Sequence, residues 1–116
     1  MIAFLADENF HGPIIEGVLR VLPTFDVIRA QDTVIYGADD PTLLEFATQS
    51  NRLLLSHDAS TLIGFASDRI RSGTSTCGII EVHRKASIQV VIEDLVMIAE
   101  CLAPGEWDNL LKYLPL

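Results

Sequence analysis

Acidic side chains gather at three places in this chain. Asp7-Glu8-Asn9 closes the apolar run Ile2-Ala3-Phe4-Leu5-Ala6, Asp39-Asp40 stands just before Pro41, and Asp58 closes Leu53-Leu54-Leu55-Ser56-His57. Brought together, carboxylates repel one another by about 1–4 kcal/mol per pair at contact distance unless a cation sits between them. Hard divalent ions such as Mg²⁺ take oxygen ligands, and a pair of them activates a water and steadies the leaving oxygen in phosphodiester cleavage. The chemistry to look for is therefore metal-assisted hydrolysis, provided that the fold brings the three clusters to one place.

Hydrophobic periodicity supplies the elements that must do this. Ile2 to Ala6 has no polar face and reads as a buried strand of a parallel sheet. Phe10 to Leu22 carries Ile14, Ile15, Val18, Leu19 and Leu22 on one helical stripe, with Pro13 tolerable in its first turn and Pro23 stopping it. Val27 to Ala30 is a second strand, and Gln31 to Ala38 is a loop. Asp39-Asp40-Pro41 starts a helix that runs to about Ser50. Leu53 to Ser56 is a third strand. Ala59 to Ser72 predicts one or two short helices, interrupted at Gly64 and closed by Gly73. Ile79 to Val82 is a fourth strand, and Ser87 caps a long helix whose apolar residues run from Ile88 to Leu102 before Pro104-Gly105. Leu110 to Leu114 adds a short edge strand.

Strands alternating with helices predict a three-layer α/β fold, a parallel sheet of four to five strands flanked by helices, with Ile2–Ala6 central and right-handed crossovers. In such a sheet the strand ends and the starts of the following helices share one edge, where ligands bind. All three acidic clusters belong to that rim.

Residues 1–116 form a single domain, and 49% hydrophobic residues suit a sheet covered on both faces. No run approaches the ~18 apolar residues of a membrane span, and the amino terminus lacks the basic region of a secretory signal. The expectation is a cytoplasmic protein with no membrane partner. Cys77 and Cys101 lack metal-ligand spacing and read as core residues. Sixteen acids against eight Lys plus Arg give a net charge of -8, which opposes simple attraction to a nucleic acid. Metal ions, a basic partner or a local patch must offset it, and Arg29, Arg52, Arg69, Arg71, Arg84 and Lys85 are the cations to consider.

Leu5-Ala6-Asp7-Glu8-Asn9, Gly37-Ala38-Asp39-Asp40-Pro41-Thr42-Leu43-Leu44-Glu45-Phe46-Ala47 and Leu54-Leu55-Ser56-His57-Asp58 together resemble the PIN-like domains. More narrowly they resemble the small predicted nucleases related to VapC-type ribonuclease toxins. The resemblance implies a sheet in the order 3-2-1-4-5, Mg²⁺ or Mn²⁺ held by the catalytic acids Asp7, Asp40 and Asp58, and endoribonuclease cleavage of single-stranded RNA. It also implies an antitoxin protein as partner, and a homodimer is a further expectation. The family commonly carries a fourth acid and then an aromatic just past the third motif. Here the chain reads Asp58-Ala59-Ser60-Thr61-Leu62, which implies slow turnover.

Each residue also has a plainer reading. Asp40 before Pro41 is a helix-capping signature, with Asp39 beside it. Asp7 is solvated, capped or metal-bound. Glu8 is a ligand, a supporting group or a solvated loop acid, and Asn9 caps the first helix. His11, His57 and His83 show no ligand spacing; His57 adjoins Asp58 and is the one expected to line the site. Ser56-His57-Asp58 is not a hydrolase triad, because neighbours on a strand point to opposite faces. Two other classes remain: an inactive interaction module with the same fold, and a phosphoacceptor receiver domain. A receiver would use Asp58 as acceptor, but needs a hydroxyl residue ending strand four and a lysine ending strand five.

Overall fold

The computed structural model describes residues 1–116, and the expected runs fold as strands and helices. The order is β1 (Ala3–Ala6), α1 (Gly12–Val21), β2 (Asp26–Arg29), a 3₁₀ turn (Ala30–Asp32), α2 (Asp40–Gln49), β3 (Arg52–Ser56), α3 (Ser60–Arg71), β4 (Ile79–Val82), α4 (Ile88–Cys101) and β5 (Leu111–Leu114). All strand pairs are parallel, and helices cover both faces, so the class is the three-layer α/β fold.

The strand order is 2-1-3-4-5 rather than 3-2-1-4-5. β3, buried from Leu53 to Ser56, takes the middle of the sheet, and β1, buried from Phe4 to Ala6, sits between it and β2. β2 begins with an exposed Asp26, has no fully buried residue, and lies at the edge, where a polar strand does least harm.

Side chains alternate between two cores. Phe4, Ala6, Leu55, Ile80 and Val82 face α1 and α4, whereas Leu5, Leu54 and Ile79 face α2 and α3. The chain moves in one direction across the sheet from β2 through β3 and β4 to β5, yet α4 lies on the opposite face from α2 and α3. The last crossover therefore has the opposite hand to the others, contrary to the general rule. Val91, Ile92, Leu95, Ile98 and Ala99 bury α4 on the face that carries α1.

Two local expectations change. Residues 60–71 form one uninterrupted helix, because Leu62 and Ala66 bury one side while a side chain added at Gly64 would meet nothing within 4 Å. Gly64 thus costs backbone entropy and contributes no packing. Gly64→Ala is expected to raise stability by about 0.5–1 kcal/mol in denaturant titration; a loss of stability would contradict this. Cys77 is buried as expected, but Cys101 is exposed, since it falls on the solvent side of the last turn of α4. No helix is long and apolar enough to cross a membrane.

Candidate functional site

Asp7 prolongs the β1–β3 pairing: its N–H donates to Leu55 O at 3.1 Å, one residue beyond the Ala6–Leu55 partners, so Asp7 stands opposite Ser56. Ser56 is in register with Glu81 on β4, and Glu81 with Tyr113 on β5. Two residues earlier on each strand, Leu5, Leu54, Ile79 and Leu111 all pack on the α2/α3 side. Strand alternation then places Asp7, Ser56, Glu81 and Tyr113 in one row on that side, at the carboxyl edge of the sheet.

The loops bring further acids to this row. Asp39, not Asp40, is the N-cap of α2, and its carboxylate accepts the Thr42 N–H at 3.1 Å. Hydrogen bonds from Thr42 hold the Asp39 carboxyl below its usual range. Asp40 is consequently free of capping. Its pKa is raised, first by burial and then by the negative charges of Asp7, Asp39 and Asp58, and no hydrogen bond or cation pulls it back down. The same repulsions place Asp7, Asp40 and Asp58 within electrostatic reach of one another.

Asp7 and Asp58 each spend one oxygen on local structure. Asp7 Oδ1 accepts Asn9 N–H at 3.2 Å, and Asp58 Oδ1 accepts the Ser60 hydroxyl at 3.0 Å and, weakly, the Ser60 N–H at 3.4 Å. Glu8 accepts the N–H of Gly37, whose φ of 75° suits glycine. That contact ties the β2–α2 loop to the end of β1 and so carries Asp40 toward Asp7. Glu8 is a positioning residue. Asp7, Glu8, Asn9 and Asp40 line a narrow cleft of about 130 Å³.

Two expectations for supporting residues are corrected, and one residue is added. Asn9 does not cap α1; the cap position is His11, without a side-chain bond, and Asn9 instead closes the turn on Asp7. His57 does not line the acidic cleft. Strand alternation turns it to the other face, where its Nε2 accepts His11 N–H at 3.1 Å, its Nδ1 pairs with Val82 O at 2.9 Å, and its ring stacks on Phe10 at 4.6 Å. Satisfying both contacts requires the neutral Nδ1–H tautomer. Last, no acid stands among the residues just after Asp58, yet Glu81 reaches the same loop from β4, its Oε1 accepting Ala59 N–H at 2.7 Å. The signal for Glu81 was a lone charge inside Ile79-Ile80-Glu81-Val82, which an apolar strand tolerates only with a partner.

The ion pairs all lie elsewhere: Arg52–Asp26, Arg69–Glu45 and Arg71–Asp68. The rim charge is left uncompensated by the protein. In donor chemistry the rim suits a hard divalent cation, with a free carboxylate on Asp40 and a spare oxygen on Asp7 and on Asp58. No group of three His, Cys, Asp or Glu side chains is arranged to hold a metal ion.

No protein-family model, curated protein or solved structure matches the chain.

What the rim can do follows from its own groups. They are almost all acceptors. Ser56 is fully buried and receives Asp58 N–H at 3.1 Å, and His57 is turned away, so a Ser–His–Asp relay is excluded.

Proposed function

We propose that this chain is a PIN-like, divalent-metal-dependent endoribonuclease that cleaves single-stranded RNA at the acidic rim. The observation that carries the reading is the cleft at the carboxyl edge, which Asp7, Glu8 and Asp40 line together, with Asp40 partly buried and without a hydrogen bond or cation to neutralise it. Burying charge without compensation costs stability, so the arrangement makes sense with a cation present. Asp7, Asp40 and Asp58 would hold Mg²⁺ or Mn²⁺, which, when bound, supplies an activated water and neutralises charge on the phosphodiester. Glu8 and Glu81 place the loops that carry these ligands, and Asp39 takes over the capping that would otherwise occupy Asp40.

The test is incubation of purified protein with unstructured RNA in Mn²⁺, in Mg²⁺ and in chelator. Cleavage is expected with metal, better with Mn²⁺, and none with chelator. Asp7→Asn and Asp58→Asn should each lower it by at least about a hundredfold. Cleavage persisting in both variants would point to a contaminant, and none under any metal would leave an interaction module of the same fold.

One observation favours the receiver reading: 2-1-3-4-5 is the strand order of flavodoxin-like folds. Against it, β4 runs from Val82 into His83 without a hydroxyl, β5 ends at Leu114 and Pro115 without a lysine, and α4 packs beside α1. Incubation with a small acyl phosphate separates the two, since only a receiver would gain a phosphoryl group on Asp58.

A further inference from the structure

We infer that the RNA strand leaves the acidic rim across β4 and β5, with one base stacked on Tyr113 and the adjoining phosphates held by Arg84 and Lys85. This subsite rests on the nuclease reading for its substrate and on separate residues for its geometry.

The register places it. Asp7, Ser56, Glu81 and Tyr113 are successive neighbours across β1, β3, β4 and β5, so a strand entering at Asp7 and following the carboxyl edge meets Tyr113 last. Parallel strands lie about 4.8 Å apart, which sets Tyr113 about 14 Å from Asp7 along the edge, within reach of a short extended stretch. An open depression of about 540 Å³ occupies that end, lined by Glu81, His83, Lys85, Tyr113 and Pro115. Glu81 therefore borders both ends of the path. It holds the Asp58 loop through Ala59 and forms the near wall of the depression.

Tyr113 is 56% exposed, although the next residue, Leu114, is 1% exposed. Phe4 with Phe25 and Phe10 with His57 account for the ring pairs, so the Tyr113 ring has no aromatic partner of its own. A free aromatic face beside a nucleic-acid site is a stacking platform for any base.

Charge is available at the same place. Arg52, Arg69 and Arg71 are committed to carboxylates, which leaves Arg20, Arg29, Arg84, Lys85 and Lys112 without an ion pair. Arg84 and Lys85 are exposed and occupy the turn between β4 and α4 at the carboxyl edge; Lys85 lines the depression, and Arg84 lines the adjoining cleft that holds His57. The first turn of α4 carries no acid to offset them. Lys85 beside an unpaired aromatic, with Arg84 next along the turn, matches a phosphate backbone with its bases better than an acidic peptide, which offers no flat face to Tyr113.

The experiment measures binding and cleavage separately. Binding of a labelled, unstructured RNA is followed by fluorescence anisotropy on the Asp7→Asn protein, which leaves the RNA intact, over a series of salt concentrations. Adding Tyr113→Ala is expected to weaken binding roughly tenfold. Adding Arg84→Ala with Lys85→Ala is expected to flatten the slope of log K against log salt by about 0.7 for each phosphate contact. Lys112→Ala, on the other face of β5, should change neither. In the otherwise unaltered protein the same substitutions should raise KM and spare kcat. Cleaving protein whose affinity and KM are indifferent to these substitutions overturns the subsite and leaves the nuclease standing. Loss of RNA binding in the variants of a protein that never cleaves supports the subsite and overturns the nuclease. A polyglutamate peptide that displaces RNA with equal affinity also overturns the subsite.

Discussion

Asp40→Asn is expected to raise the melting temperature of the metal-free protein and, in the same step, to abolish both its stabilisation by Mn²⁺ and its cleavage of RNA. The two effects have one origin. Burial and the charges of Asp7, Asp39 and Asp58 raise the Asp40 pKa in the folded state. An acid whose folded pKa is raised binds its proton more tightly when folded, so its ionised form costs stability at neutral pH. That cost is relieved as pH falls through the folded pKa. The neutral amide removes it at every pH, and the gain of Asn over Asp should therefore be full near neutrality and shrink as the solution is acidified. Divalent metal reverses the comparison, because preferential binding to the folded state stabilises only the chain that keeps its ligand. Loss of charge neutralisation should slow cleavage by at least about a hundredfold. Thermal melts of both proteins from neutral to acid pH, with and without Mn²⁺, check this. A variant that melts lower without metal, or one that still gains from Mn²⁺, would contradict it.

Gly78→Ala is expected to cost about 3 kcal/mol, the upper end for overpacking a filled site, and on the order of 10 °C in melting temperature. A Cβ at Gly78 would stand 2.3 Å from the Trp107 carbonyl oxygen and 2.9 Å from Trp107 Cβ, and backbone cannot swing aside as a side-chain tip can. Trp107 is also anchored. Its carbonyl accepts Leu110 N–H, and Asn109 is bound to Thr76 in both directions, through N–H to Thr76 O and through Oδ1 to Thr76 N–H. Ile79 N–H then donates to Leu110 O as β5 begins. Pushing this loop outward loosens β5 along with Tyr113, so RNA affinity should fall with stability. Equilibrium denaturation measures the first effect, and a change smaller than 1 kcal/mol would show that the loop yields freely.

Local periodicity made the strands and most helix limits legible, because apolar runs and stripes report what each segment must bury. The acidic rim was legible for the same reason, since Asp7 and Asp58 close apolar runs. Strand order was not, because pairing is decided by competition between segments, and Ile2–Ala6 and Leu53–Leu55 are both unbroken apolar runs that local pattern cannot rank. The side chosen by α4 depends on its packing against α1, which is distant in sequence. Capping misled by one residue, because Asp39 and Asp40 both fit the signature and only the backbone at Asp39, with φ -73° and ψ 170°, is extended. Glu81 was hidden in an apolar strand, and its partner Ala59 is distant in sequence. His57 was visible, but its direction followed from strand alternation, which already separated it from Asp58.

The rim stands or falls as a metal site by calorimetric titration of Mn²⁺, without RNA, into the wild-type protein and into Asp7→Asn. The substitution keeps the Oδ1 acceptor for Asn9 N–H and removes the charge beside Asp40. Saturable binding in the wild type, displaced by excess Mg²⁺ and lost in Asp7→Asn, is the result expected. Absence of binding in the wild type, or equal binding in both proteins, would contradict it.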